Sequence, residues 1–123
     1  METIAMQKIL IIIHAPPYGS ERCLSGLRLA TALAGVEGDT PKVQIFLMSD
    51  ATVLALPNQI DATGNGLQGM VEELVRHNVS IRICRTCAFA RGLGELPLIP
   101  GTSIGTLAEL AQATLAADKV ITF

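Results

Sequence analysis

The chain has 123 residues, of which 50% are hydrophobic, 16% are charged and 3% are aromatic, and its formal net charge is −2. This length predicts one domain, residues 1–123, with a core of aliphatic side chains. The charge balance and the absence of a basic cluster exclude nucleic acid as the main partner. No apolar run approaches the roughly 20 residues of a membrane span, so no membrane association is predicted.

The first residues of the chain and its cysteine content predict the cellular compartment. Residues 1–8 contain one acidic and one basic group, and the apolar run after them is too short for a secretory signal. Three cysteines, an odd number, do not suggest a disulfide framework. The sequence therefore predicts a cytoplasmic protein.

Strand and helix patterns alternate along the chain. Apolar, mostly β-branched runs predict strands at residues 8–13, 43–48, 79–83 and 119–123, with a very short one at 102–104. Turn residues, capping residues and helical apolar spacing predict helices at residues 21–34 and 51–56, from 67 to about 76, and after residue 106. The alternation predicts right-handed βαβ units and an α/β fold with a mostly parallel sheet covered on both faces.

Capping residues set three of the predicted helix starts. Ser20 is expected to cap the first long helix, and Ser49 or Asp50 to cap the short one. Thr106 and Glu109 have the spacing of a capping box, which predicts the start of the last helix.

A C-x-x-C motif, Cys84 to Cys87, follows the third predicted strand, with Arg85 inside it and Arg91 shortly after it. The carboxyl edge of a parallel sheet is where α/β proteins place their chemistry. If residues 85–91 form a helix, its free N–H groups and the two arginines would lower a thiol pKa. Such a thiolate suits a nucleophile, a redox centre or a metal ligand, and the alternative is two small buried cysteines. Thioredoxin-type chemistry is disfavoured because the motif follows the third strand.

Three further candidates lie near the first strand. His14 follows it, Tyr18 lies in the next loop, and Cys23 falls in the first turn of the following helix. These residues would approach Cys84 if the first and third strands were neighbours. His14, Cys23 and the C-x-x-C pair have the ligand chemistry of a zinc or iron site. A core position for Cys23 and a backbone contact for His14 are the alternatives, and no metal or cofactor is predicted.

The segment 64–69 matches the pattern G-x-G-x-x-G. It does not directly follow a strand, and no acidic residue ends the next strand. Both features are needed for dinucleotide binding, so this segment is predicted to be a loop that enters a helix.

Several segments of the chain resemble the DsrE/DsrF-like sulfur-relay family and, within it, the small YchN-like branch. They are the spacing from Cys84 to Gly92, the terminal segment 117–123, the opening strand 8–12 and the turn 18–20. The resemblance implies a three-layer α/β/α fold with a five-stranded, mostly parallel sheet, and homotrimers or homohexamers. It also implies that the cysteine at position 84 carries sulfur as a persulfide between donor and acceptor proteins.

The leading hypothesis is a sulfur carrier of the sulfurtransferase type. In it, Cys84 is the persulfide thiol and Cys87 is the neighbouring thiol. Arg85 and Arg91 are expected to stabilise the anion. Two alternatives stay open. One is a metal- or redox-responsive binding module that uses the C-x-x-C with Cys23 and the histidine at position 14. The other is a structural oligomer with inert cysteines.

Overall fold

Ten helices and strands follow one another in a computed structural model that describes residues 6–62 and 64–123. They are β1 (Lys8–Ile13), α1 (Arg22–Ala34), β2 (Lys42–Leu47), a 3-10 helix (Ser49–Ala55), α2 (Leu67–Arg76), β3 (Ser80–Cys84), α3 (Arg85–Ala90), β4 (Thr102–Gly105), α4 (Leu107–Ala116) and β5 (Lys119–Thr122). The predicted α/β class with five strands is confirmed. None of the helices in these residues is both long and apolar enough to cross a membrane.

The five strands form one parallel sheet in the order β4-β3-β2-β1-β5. Their carboxyl ends therefore meet at one edge of the sheet, where Cys84 ends β3 and pairs with Gly105 of β4. β1 and β3 are not neighbours, because β2 pairs with both of them. The condition for bringing residues after β1 close to Cys84 is therefore not met.

Successive side chains of a strand point to opposite sides, so the sheet has two faces. These two faces are covered to different extents. The first, the α1 face, carries the larger core, in which isoleucines such as Ile11, Ile45 and Ile81 pack with α1, α2 and the 3-10 helix. The second, the α4 face, carries a small cluster of Leu10, Phe46, Cys84 and Leu110, the last from α4. Cys84 thus lies on the thinly covered side of the sheet.

Two contacts dock α4 onto its face of the sheet. Leu110 enters the small cluster, and Glu109 forms an ion pair with Arg82 of β3 at 2.6 Å. The predicted capping box is confirmed, since the Thr106 hydroxyl accepts from the backbone N–H of Glu109 and the Glu109 carboxylate accepts from the backbone N–H of Thr106. The position of α4 is therefore fixed by its first turn.

The other two capping predictions are wrong. Glu21 occupies the cap position of α1, and Ser20 accepts only a long bond of 3.4 Å from the backbone N–H of Arg22. Met48 occupies the cap position of the 3-10 helix, without a side-chain cap, while Ser49 is its first residue and Asp50 binds Arg91 instead. The carboxylate of Asp50 thus serves a tertiary contact rather than the helix end.

The glycine-rich segment 64–69 is the predicted loop entering a helix. α2 begins at Leu67, directly after Gly66, which has a positive φ of 66° that favours glycine.

Candidate functional site

Cys84 is the last residue of β3 and the N-cap of α3. Its Sγ accepts a hydrogen bond from the backbone N–H of Cys87 at 3.5 Å. The residue is only 3% exposed and belongs to the small apolar cluster of the α4 face. The thiol predicted to lead the chemistry is therefore present at the carboxyl edge but is covered by apolar side chains.

Burial raises the pKa of the Cys84 thiol above its ordinary value. Hydrogen bonds from the backbone N–H groups of Cys87 and Thr86 act in the opposite direction, while a side-chain hydrogen bond with the Cys87 thiol adds to the increase. The predicted lowering of the thiol pKa is thus wrong in direction. α3 has only six residues and a modest dipole, so loss of water contacts outweighs the favourable bonds.

Cys87 lies in the first turn of α3 and is half-buried, with its side chain packed against the small cluster of the α4 face. Both cysteines of the motif are free thiols. The backbone N–H of Cys87 lies within hydrogen-bonding distance of Cys84 Sγ, and Cys87 is the more exposed of the two residues. The structure therefore brings together a covered thiol and a more accessible one.

Each of the two arginines of the segment has a defined contact beside the cysteine pair. The Arg85 guanidinium stacks on the Phe89 ring, 4.7 Å from its centroid, on the exposed side of α3. Arg91 donates from Nε to Asp50 Oδ1 at 3.0 Å and from Nη1 to the Cys87 carbonyl at 3.1 Å. The charge of Arg91 is therefore balanced by a carboxylate, and this side chain fixes the end of α3 against the 3-10 helix.

Cys23 is separated from the C-x-x-C pair by the sheet itself. It is fully buried in α1, within the core of the α1 face, whereas Cys84 faces α4. Burial raises the pKa of the Cys23 thiol to about 11. Cys23 is thus a core cysteine, the alternative that the sequence left open.

His14 and Tyr18 belong to another part of the carboxyl edge, beside β5. The backbone N–H of His14 donates to the Phe123 carbonyl at 2.8 Å, and the Tyr18 hydroxyl donates to Gln59 Oε1 at 3.0 Å. Both residues line an open cavity of about 540 Å³ together with Arg22. His14 therefore lies at the β1–β5 end of this edge, whereas Tyr18 reaches the loop that follows the 3-10 helix.

The predicted four-residue ligand set is not assembled within one chain. Among residues 6–62 and 64–123, no three His, Cys, Asp or Glu side chains are grouped closely enough to hold a metal ion. The reason is the opposite placement of the two cysteine environments, with Cys23 under α1 and the C-x-x-C pair under α4.

Sequence reasoning missed three residues that shape this site. Phe46 and Leu110 belong with Cys84 to the small cluster of the α4 face, and Asp50 forms an ion pair with Arg91. The alternation within β3 carries a usable signal, because Ile81 and Ile83 must share one face and Cys84 the other. No local signal links residues 50 and 91, which are 41 positions apart.

Comparison with known proteins gives consistent results across the whole chain. The DsrE/DsrF-like family pattern matches residues 7–123. Protein YchN of Escherichia coli K12 is 49% identical over 118 residues, covering 96% of this chain and 100% of YchN. The crystal structure of E. coli YchN superposes with a TM-score of 0.91 over the same shares of the two chains.

A more distant relative carries the name of a sulfurtransferase. Sulfurtransferase TusD of Pectobacterium carotovorum is 29% identical over 133 residues, covering 96% of this chain and 100% of TusD. The family match and the similarity to YchN together assign the chain to the family that its sequence resembles. This protein belongs to the DsrE/DsrF-like family.

Proposed function

We propose that this protein is a sulfur carrier that holds sulfane sulfur as a persulfide on Cys84, with Cys87 as the neighbouring thiol. The observation that carries the proposal is a pair of free thiols at the carboxyl edge of the sheet, linked by the hydrogen bond from the backbone N–H of Cys87 to Cys84 Sγ. A sulfurtransferase among the relatives supports this chemistry. A reducing compartment such as the cytoplasm suits three free thiols.

The surroundings of Cys84 suit storage of a reactive sulfur. Apolar side chains exclude water and competing thiols from the sulfur atom, while the backbone N–H of Cys87 donates to it. A hydrogen bond to a sulfur anion in an apolar setting stabilises the charge more than the same bond in water. Cys84 is therefore better built to retain a persulfide than to capture one rapidly.

The second thiol offers a way to release the sulfur. If the Cys87 thiolate attacks the inner sulfur of a Cys84 persulfide, an intramolecular disulfide forms and hydrosulfide leaves with the electron pair of the broken S–S bond. A reductant is then needed to restore both thiols. If instead an acceptor thiolate attacks the outer sulfur, the persulfide moves to the acceptor and no oxidation occurs.

The exposed side of α3 is the surface we assign to protein partners of the relay. Arg85 and Phe89 are both exposed beside the thiol pair, and no ion pair within the described residues includes Arg85. An unmatched cation on an aromatic ring suits an acidic partner surface with an apolar centre. Arg85→Glu should weaken sulfur transfer to or from such a partner, whereas the same charge change at exposed Arg28 of α1 should not.

Self-association as a homotrimer or homohexamer is the oligomeric state we propose. Three large apolar side chains on or beside α4 are strongly exposed: Leu107, Leu115 and Val120. Large apolar side chains exposed to water favour contacts between copies of a chain.

Light scattering should give three or six subunits, and Leu115→Glu should lower the mass. Ile60→Glu, at a position 98% exposed in a loop, is the matched control; a monomeric wild type would contradict the proposal.

Intact-mass measurement after incubation with glutathione persulfide tests the carrier function. Wild-type protein should gain the mass of one sulfur atom and keep it after the donor is removed by desalting. Cys84→Ser should lose the sulfur faster, because Cys87 is less covered. Cys23→Ser, which alters only the core thiol, is the matched control. No gain by the wild type, or equal retention by Cys84→Ser, would refute the proposal.

A further inference from the structure

The two cysteines of the C-x-x-C motif differ in their exposure to solvent. The motif alone does not indicate which of them is the more exposed. Cys84 comes first in the chain, yet it is 3% exposed and belongs to the small apolar cluster of the α4 face. Cys87 comes second and is half-buried, at the margin of the same cluster. A bulky persulfide donor therefore meets Cys87 before it can reach Cys84.

We propose that sulfur is received at Cys87 and then passed inward to Cys84, so that the second cysteine accepts and the first stores. This inference rests on the carrier function proposed above and assigns the order of transfer within it. The outer thiol contacts the donor, and the inner thiol holds the product away from solvent. The motif thus acts as a two-step relay within one chain.

Both steps balance without an oxidant or a reductant. In the first, the Cys87 thiolate attacks the outer sulfur of a donor persulfide R–S–SH, the donor S–S bond breaks, and R–S⁻ leaves. The proton on the outer sulfur stays with it, which gives Cys87–S–SH. In the second, the Cys84 thiolate attacks that outer sulfur, so Cys84–S–SH forms and the Cys87 thiolate is regenerated. The proton released by Cys84 on ionisation goes to solvent or to the thiolate of Cys87.

The geometry of α3 supports the inward step. The backbone N–H of Cys87 donates to Cys84 Sγ at 3.5 Å. The Cys87 carbonyl is held by Arg91, which is in turn held by Asp50. The backbone of the receiving residue is therefore fixed beside the storing thiol, within the first turn of α3.

The chain allows the two positions to be separated by trypsin. Cleavage after Arg82, Arg85 and Arg91 places the two cysteines on different peptides, 83–85 and 86–91. Wild-type protein is mixed with glutathione persulfide, and samples are alkylated with iodoacetamide at increasing times, digested and analysed by mass spectrometry. Sulfur is expected first on the peptide 86–91 and later on the peptide 83–85.

Two variants sharpen the measurement. Cys84→Ser should load sulfur at Cys87 at the wild-type initial rate and retain it poorly. Cys87→Ser should load Cys84 at least about tenfold more slowly than the wild type, the factor that a barrier difference of about 1.4 kcal/mol produces. The order of labelling in the wild type needs no variant, so a substitution that unfolds the protein leaves the test intact.

The outcomes separate this inference from the proposed function. If the peptide 83–85 is labelled first, or if Cys87→Ser loads as fast as the wild type, the order of transfer is wrong while the carrier function stands. If the sulfur remains on Cys87 at equilibrium, the inward step is wrong. If neither peptide of the wild type gains sulfur, the carrier function itself fails, and the order of transfer fails with it.

Discussion

The burial of Cys23 makes the stability of the folded protein depend on pH above pH 9. Burial raises the pKa of this thiol from an ordinary value of 9.0 to about 11. Between these two pH values the unfolded chain has released the thiol proton and the folded chain has kept it. The stabilisation is therefore complete below pH 9 and is lost as the pH rises towards 11, at about 1.4 kcal/mol for each pH unit. The total is about 2.7 kcal/mol.

The matched comparison is wild-type protein against Cys23→Ala. The substitution removes the ionising group and also some packing, which lowers the free energy of unfolding by an amount that does not depend on pH. Urea unfolding of both proteins at pH 8, 9, 10 and 11, with a reductant present, measures the difference at each pH. All other titrating groups are shared, so the difference between the two curves isolates Cys23.

The expected result is a wild-type advantage that begins to shrink near pH 9 and is smaller by about 2 kcal/mol at pH 11, with the remainder lost above that pH. Parallel curves over the whole range would refute the reasoning, because they would mean that the folded protein ionises Cys23 as readily as the unfolded chain. That result would also reopen Cys23 as a candidate for the functional site.

Three further substitutions test the structure around the cysteine pair by urea unfolding. Gly105→Ala should cost about 1–3 kcal/mol, since its new Cβ would lie 2.9 Å from the ring of buried Phe46. The control Gly69→Ala, which meets open space in α2, should instead gain up to about 1 kcal/mol. Thr106→Ala should cost about 1 kcal/mol through the lost capping box. Asp50→Asn should cost less than about 1 kcal/mol, because the ion pair is half-exposed.

Asp50→Asn has a second, more diagnostic readout. Its loss of the ion pair should loosen the end of α3 and raise the alkylation rate of Cys87 by iodoacetamide, measured on the tryptic peptide 86–91. The matched substitution Asp39→Asn changes the same charge on the loop before β2 and should leave that rate unchanged. A Cys87 rate that stays at the wild-type value in Asp50→Asn would contradict the role given to Arg91.

The elements of the fold were predictable because each leaves a local pattern. A run such as residues 8–13 is β-branched and buried on both faces, so only a strand accommodates it. The stripe of Leu67, Val71 and Leu74 has helical spacing, and these three side chains are buried in α2. Thr106 and Glu109 make a capping box whose bonds depend on neighbours three positions apart.

The composition of the site was less predictable because it depends on strand order and on sheet faces. Cys23 and Cys84 both follow strands at the carboxyl edge, yet α1 covers one face and α4 the other. Burial raises the pKa of the Cys84 thiol more than the nearby N–H groups lower it, and the cluster that buries it contains residues distant in sequence, such as Phe46 and Leu110. Local motifs placed the C-x-x-C pair at the carboxyl edge but did not indicate which of its two cysteines is more exposed.

The strand order also determines the sequence in which the strands can pair during folding. β2 pairs with both β1 and β3, which precede and follow it in the chain, whereas β1 meets β5 only across about 110 positions, as in the pairing of Ile9 with Lys119. Contacts between distant segments form late, because the intervening chain must first be ordered. During synthesis, β1 is thus an unpaired sheet edge until β5 emerges from the ribosome. Slow translation before β5 should therefore prolong the period in which this protein is prone to aggregate.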